Sequence, residues 1–227
     1  MAAEGDIPCL PEELIRNILK RLPVKSLIRF QSACKHWKNL IKTSSFIIEH
    51  LHHSSNENPL LLLQWDYRCD PLHLHMLNHE MQILQVQPSP LMDFLPCATI
   101  IDCSNGLLCV RTEYRYGACN PSLFLWNPGT REVKHVPRFI YDDINHMFCP
   151  YAFGFSPIVN NCKIVTFHET RFDCEDNLVG VYSLSTGSWK LINAREILGV
   201  RLRLFPVNIN GVIFWCGESL DRGVGDE

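Results

Sequence analysis

The chain has 227 residues, which at about 150 residues per domain leaves room for one to two domains. Its apolar share of 46% and charged share of 20% sit near globular averages of about 45–50% and 25%, so disorder over most of the length is excluded. With a formal net charge of −3 the chain has no overall basic character, and neither nucleic acid nor an anionic membrane is an expected partner.

The first residues, Met1-Ala2-Ala3-Glu4-Gly5-Asp6, are acidic where a secretory signal is basic. The densest apolar run, Leu60-Leu61-Leu62-Leu63, is far short of the roughly 18 residues of a membrane helix. A soluble cytoplasmic or nuclear chain is expected. Eleven cysteines, with no C-x-x-C among them, read as free thiols serving as small apolar residues in a reducing compartment.

Residues 1–53 carry eight Lys/Arg and five Asp/Glu, a net of +3, while the rest carries 13 and 19, a net of −6. The pattern changes from helical to strand-like at the same place. In the first part, Pro11 suits a helix start, Glu12 and Glu13 suit its dipole, and Leu14, Ile15, Ile18, Leu19 and Leu22 recur at helical spacing to form one apolar face. Pro23 ends this helix. A second is expected over 25–33 and a third over 34–41, broken by Thr43-Ser44-Ser45, with Phe46-Ile47-Ile48 opening a further short element. Ser54-Ser55-Asn56-Glu57-Asn58-Pro59 reads as a linker. Three short helices bury too little to be comfortable alone, so their exposed apolar residues imply docking onto a partner or onto the rest of the chain.

Leu10-Pro11-Glu12-Glu13-Leu14-Ile15, Ile18-Leu19-Lys20-Arg21-Leu22-Pro23-Val24-Lys25-Ser26-Leu27, Cys34-Lys35-His36-Trp37 and Leu40-Ile41 together resemble the F-box over residues 8–51. That resemblance implies docking onto a Skp-type linker protein and, through it, a cullin-based ubiquitin ligase. The positions matching the docking surface are Leu10, Pro11, Leu14, Ile18, Leu22, Pro23, Leu27 and Trp37.

From residue 59 onward, apolar runs of four to six residues alternate with turn formers. Asn105-Gly106-Leu107-Leu108-Cys109-Val110 and Asn210-Gly211-Val212-Ile213-Phe214-Trp215 are near copies, with Phe153-Gly154-Phe155 between them. Leu125-Trp126-Asn127-Pro128-Gly129-Thr130 through Val136 aligns with Val181-Tyr182-Ser183-Leu184-Ser185-Thr186 through Ile192, and residues 72–86 form a weaker earlier member. A repeat near 50 residues, made of a buried inner strand and an outer hairpin, is the pattern of propeller blades. The kelch Gly-Gly pair and a repeated WD signature are absent, and a β-sandwich is the alternative.

The same segments, with Ser188-Trp189, resemble the F-box-associated domain of plant F-box proteins, a propeller-like substrate-recognition domain, over 60–217. Asn161-Cys162-Lys163 stands where the family has an acidic-Tyr-Lys pattern. Three blades and the opening of a fourth are counted, against 4–8 in closed propellers, so the domain is expected to be partial. The expected fold class is α+β and multidomain: a three-helix F-box at 8–51, a linker at 52–59, an all-β, propeller-like (kelch-like) domain at 60–217 and a polar tail at 218–227.

Catalysis is not expected, since no phosphate loop, G-x-S-x-G or H-E-x-x-H occurs. Cys34 and His36, two apart on a helix, point to different sides, and Cys34 reads as packing. Cys69, His73, His75 and His79 match no common zinc spacing, so neither metal nor cofactor is expected. The eight basic residues between Arg16 and Lys42 read as a solvated face. The expected function is a substrate adaptor of a Skp-cullin-F-box ubiquitin ligase, with Tyr114, Arg115, Tyr116, Arg138, Phe139 and Tyr141 as candidate target contacts on loops. The alternatives are a decoy that occupies the Skp-type linker, and a glycan- or small-molecule-binding β domain tethered by the F-box.

Overall fold

A computed structural model describes residues 10–57, 61–64, 73–78, 80–88, 98–112, 122–139, 150–156, 158–168, 178–193, 200–202, 206–209 and 211–219. The chain forms two compact units, one from residues 1–63 with 74–87 and one from 64–73 with 88–227.

The first unit opens with four helices: α1 (Glu12–Leu19), α2 (Val24–Phe30), α3 (Lys35–Ile41) and α4 (Ser44–Glu57). Each proline of the two Leu-Pro pairs sits immediately before a helix and opens it with its carbonyl. Pro11 O accepts from Leu14 N (3.0 Å) and Ile15 N (3.1 Å), and Pro23 O from Ser26 N (2.8 Å) and Leu27 N (3.1 Å). Pro23 thus starts α2, whereas α1 ends earlier than expected, at Leu19, in turns closed by Arg21 N to Ile18 O (3.3 Å) and Leu22 N to Leu19 O (3.0 Å). Cys34 caps α3, its Sγ accepting from Trp37 N at 3.4 Å. It is exposed and serves the helix end, not the interior packing expected for it.

The largest departure from the sequence reading is α4. Thr43 breaks α3 but also opens α4, donating to Leu40 O (2.7 Å) and accepting from Phe46 N (3.3 Å). The helix then runs through Glu57, across most of the expected linker. It is anchored where Phe46 enters the core and where His50 Nε2 meets Leu22 O at 2.9 Å. Arg16 fastens α1 to it through Glu49 (2.9 Å) and Ser45 (3.3 Å). Half-exposed ion pairs of this kind contribute at most about 1 kcal/mol, so the core carries most of the stability. That core is Ile15, Leu19, Leu27, Leu40, Ile41 and Phe46, with Leu22, Phe30 and Trp37 at its margin.

Three strands follow, β1 (Leu61–Gln64), β2 (His73–Leu77) and β3 (Ile83–Pro88), paired in that order. The second unit holds two four-stranded antiparallel sheets. One runs β4 (Ala98–Ser104), β5 (Leu107–Thr112), β6 (Ser122–Asn127), β7 (Glu132–Val136), and the other β8 (Tyr151–Ser156), β9 (Asn161–His168), β10 (Leu178–Ser183), β11 (Ser188–Asn193). Two two-stranded ribbons complete it: β12 (Val200–Leu202) with β15 (Gly217–Ser219), and β13 (Val207–Ile209) with β14 (Val212–Phe214). The first strands of the large sheets, β4 and β8, lie against each other, and the β13–β14 ribbon lies against β8. Consecutive sheets meeting through their first strands is how blades pack.

The outer hairpins repeat as the sequence indicates. In β6–β7 and β10–β11 the four-residue turn closes with a left-handed residue, Arg131 (φ 63°) and Gly187 (φ 66°). Each donates its N–H to the carbonyl four residues back, Asn127 (2.8 Å) and Ser183 (2.9 Å). Because a side chain at such a φ is strained and glycine is not, Arg131→Gly should raise stability by about 0.5–1 kcal/mol in urea unfolding. No gain would mean that the arginine side chain makes compensating contacts.

One assignment of the repeat is corrected. Asn105 (φ 50°) and Gly106 (φ 74°) form the two-residue turn between β4 and β5, a type I′ turn that requires positive φ at both positions. Gly211 (φ 83°) is in the corresponding turn between β13 and β14. Gly154 is not their counterpart, since it lies inside β8 and pairs with Lys163. The apolar run Leu107-Leu108-Cys109-Val110 opens β5 and is largely buried as expected, yet β5 is the second strand of its sheet and not an edge of it.

The core of this unit gathers Cys109, Leu123, Leu125, Val136, Tyr151, Phe153, Cys162, Ile164 and Tyr182. Asn161 ties β9 to the β10–β11 turn, donating to Ser183 Oγ (2.8 Å) and Ser185 Oγ (3.0 Å) and accepting from Ser185 N (3.1 Å).

Candidate functional site

The apolar positions of α1 divide into two stripes, each with i, i+4 spacing. Ile15 and Leu19 point into the core, while Leu14 and Ile18 are about half exposed (49% and 53%). Leu10 continues the outer stripe, and Val24 and Ile28 of α2 add two exposed apolar side chains that the sequence reading did not single out. Pro11 and Pro23 are exposed, Leu22 and Trp37 are half-buried against the core, and Leu27 is buried within it. Trp37 meets Phe30 edge-on, with ring centroids 5.4 Å apart. Of the eight positions matched by resemblance, Leu27 thus presents no surface, and Leu22 and Trp37 shape the rim. Leu10, Leu14, Ile18, Val24 and Ile28 thus form an exposed apolar stripe on this small helical unit.

Of the candidate target contacts, Tyr114, Arg115, Tyr116 and Tyr141 lie outside the described residues. Arg138 is exposed. Phe139 is not a surface contact: it is 3% exposed, with its ring 5.0 Å from His168 and 5.1 Å from Trp189. The missing Cβ of Gly180 leaves room for it, and Trp189 Nε1 donates to Pro137 O at 2.6 Å. Phe139 therefore secures the segment after β7 against the next sheet.

Cys69 and His79 also lie outside the described residues, and among the described residues no three His, Cys, Asp or Glu side chains gather as metal ligands. Burial pushes the Cys162 thiol up to about 11 and raises that of Cys109 further, so both stay protonated at neutral pH. No described helix is long and apolar enough to cross a membrane.

A cavity of about 310 Å³ opens where the two large sheets meet the β13–β14 ribbon, lined by Asp102, Cys103, Ser104, Asn105, Phe155, Asn208 and Gly211. Sequence reasoning missed it. The available signal was an acid in the apolar stretch Ile100-Ile101-Asp102-Cys103, just before an Asn-Gly turn.

The chain thus joins a helical module with an exposed apolar stripe to a series of antiparallel, blade-type sheets. The F-box domain family matches residues 7–49, and the F-box associated beta propeller domain family matches 46–224. The chain belongs to the F-box proteins that carry this associated propeller domain. It is 29% identical to the F-box protein At3g08750 of Arabidopsis thaliana over 218 residues, 94% of this chain and 55% of that one. It is 23% identical to the F-box/kelch-repeat protein At3g17530 of the same plant, over 94% of this chain and 56% of that one. The chain thus spans about half the length of these curated relatives. No solved structure matches it. Both domain families are adaptor-type rather than catalytic.

Proposed function

We propose that this chain is a substrate adaptor of a Skp-cullin-F-box ubiquitin ligase, working in the cytoplasm or nucleus. The observation that carries the reading is the exposed stripe of Leu10, Leu14 and Ile18, flanked by Pro11 and Pro23 and extended by Val24 and Ile28. It is the face on which a Skp-type linker would seat. The β unit would hold a target protein beside the ubiquitin-loading machinery, so the chain would act by raising effective concentration, without chemistry of its own.

The test is co-purification with a Skp-type protein, comparing wild type with Leu14→Glu plus Ile18→Glu. Both side chains are exposed in the free unit, so the variant should keep its helical signal. Its charges would be desolvated without partners in the complex, and capture should fall at least tenfold. A charge at Leu22 would be a poorer test, because that side chain packs against the core. A soluble, folded wild type that captures no Skp-type protein would overturn the reading.

A further inference from the structure

The cavity at the meeting of β4, β8 and the β13–β14 ribbon has a one-sided chemistry. Among its described lining residues Asp102 is the single charged side chain, and no described Lys, Arg or His makes an ion pair with it. Its Oδ1 accepts from Cys103 N at 2.7 Å, and among the described residues the rest of the carboxylate's hydrogen-bonding capacity is uncommitted. Burial lifts this carboxyl above the usual carboxylate range, a penalty that an arriving cation would relieve.

The strand is shaped for this placement. The β4–β5 ladder shifts between Ile100 and Asp102, with Ile101 as the extra residue, and such a bulge re-aims the side chains that follow it. Phe155 of β8 supplies an aromatic wall, and Ser104, Asn105 and Asn208 add hydroxyl and amide groups. The Asn208 amide is committed, since its Oδ1 accepts from Gly211 N at 3.1 Å and its Nδ2 donates to Phe153 O at 3.4 Å. That wall is therefore held in place. Residues 64–73 and 88–227, which form this unit, carry 13 Lys/Arg and 17 Asp/Glu, a net of −4, which would steer a basic partner toward it.

We propose that this cavity receives the side chain of a basic residue, arginine above lysine, presented by the protein that the β unit recognises. A carboxylate and an aromatic ring lining one cavity suit the planar guanidinium, which can pair with the first and stack on the second. That the occupant belongs to a protein rests on the adaptor reading; that it is cationic rests on the cavity alone.

The test uses the full chain and heptapeptide libraries with a fixed central residue and randomised flanks. Wild type should retain central-arginine peptides about tenfold better than central-citrulline peptides, citrulline being the neutral isostere. Asp102→Asn should erase that preference. Should this variant fail to fold, Ser104→Lys, which brings a competing cation to the cavity wall, should erase it instead. Equal retention of arginine and citrulline peptides, or a preference that survives both substitutions, would overturn the proposal. Spermidine competing as well as the peptides would assign the site to a free cation and overturn it too. Skp-type capture, measured on the same preparations, separates the two readings. Capture without arginine preference defeats the cavity proposal alone, whereas arginine preference without capture supports a cationic site and defeats the adaptor reading.

Discussion

Trp126→Ala should destabilise the larger unit by about 3–5 kcal/mol, the range for truncating a fully buried large aromatic. Trp126 is 0% exposed and lies on β6 between Leu108 of β5 and Val133 of β7, so its removal opens a void inside one sheet's packing. Against a typical total stability of about 5–15 kcal/mol, that loss is large enough to read as a marked fall in the urea midpoint. Tyr182 is the matched control. It occupies the same place in the next sheet, at the start of the equivalent turn, and is equally buried. Neither its hydroxyl nor Trp126 Nε1 has a hydrogen-bond partner among the described residues. Tyr182→Phe removes a buried oxygen and little packing, so it should be neutral or stabilising by up to about 1 kcal/mol. A Trp126→Ala cost below about 1 kcal/mol would contradict the burial of β6.

The second large effect is expected at Gly154. A Cβ built there overlaps the Asn208 side chain, and the adjoining Phe153 is fully buried. Gly154→Ala must therefore displace the Asn208 side chain from its seat on β8 and break the Asn208–Phe153 hydrogen bond. Overpacking of this kind costs about 1–3 kcal/mol. The diagnostic measurement is a double-mutant cycle. In an Asn208→Gly background the alanine methyl has space, so most of its penalty should vanish, leaving a coupling energy above about 1 kcal/mol. Additive effects would mean that the ribbon does not rest on Gly154.

Much of the helical unit was legible because its punctuation is local. Two prolines, two first-turn acids and the i, i+4 leucine pattern mark α1 and the start of α2. What the residues could not show was which apolar pair of α1 faces inward, since Ile15 with Leu19 and Leu14 with Ile18 have identical spacing. The far end of α4 was missed for a related reason. Ser54-Ser55-Asn56-Glu57 has linker composition, and the helix persists because Phe46, His50 and Arg16 hold its earlier turns, a tertiary effect on weak local propensity.

In the β unit the burial of β5 and the matched hairpins follow from apolar runs and turn residues. The place of each run within its sheet does not. Gly106 and Gly154 look alike in sequence, yet one turns the chain and the other makes room for a neighbour's side chain. Phe139 looked like a loop aromatic free to bind, but the space above Gly180 draws it inward. The cavity around Asp102 is assembled from residues about a hundred positions apart, and nothing local announces it beyond one acid in an apolar strand.

The β13–β14 ribbon has two faces. Asn208 and Ile213, paired across it, are half-buried, whereas Val207 with Phe214 and Ile209 with Val212 are paired on the other side and each about half exposed. One small hairpin therefore carries both a wall of the cavity and an uncovered apolar surface. Whatever covers that surface, if it favours the hairpin's seated position, also favours the cavity's formed shape. By thermodynamic reciprocity a ligand in the cavity must then strengthen the covering contact by the same factor. Under that condition the ribbon would couple the two sides, occupancy of one reporting on contact at the other.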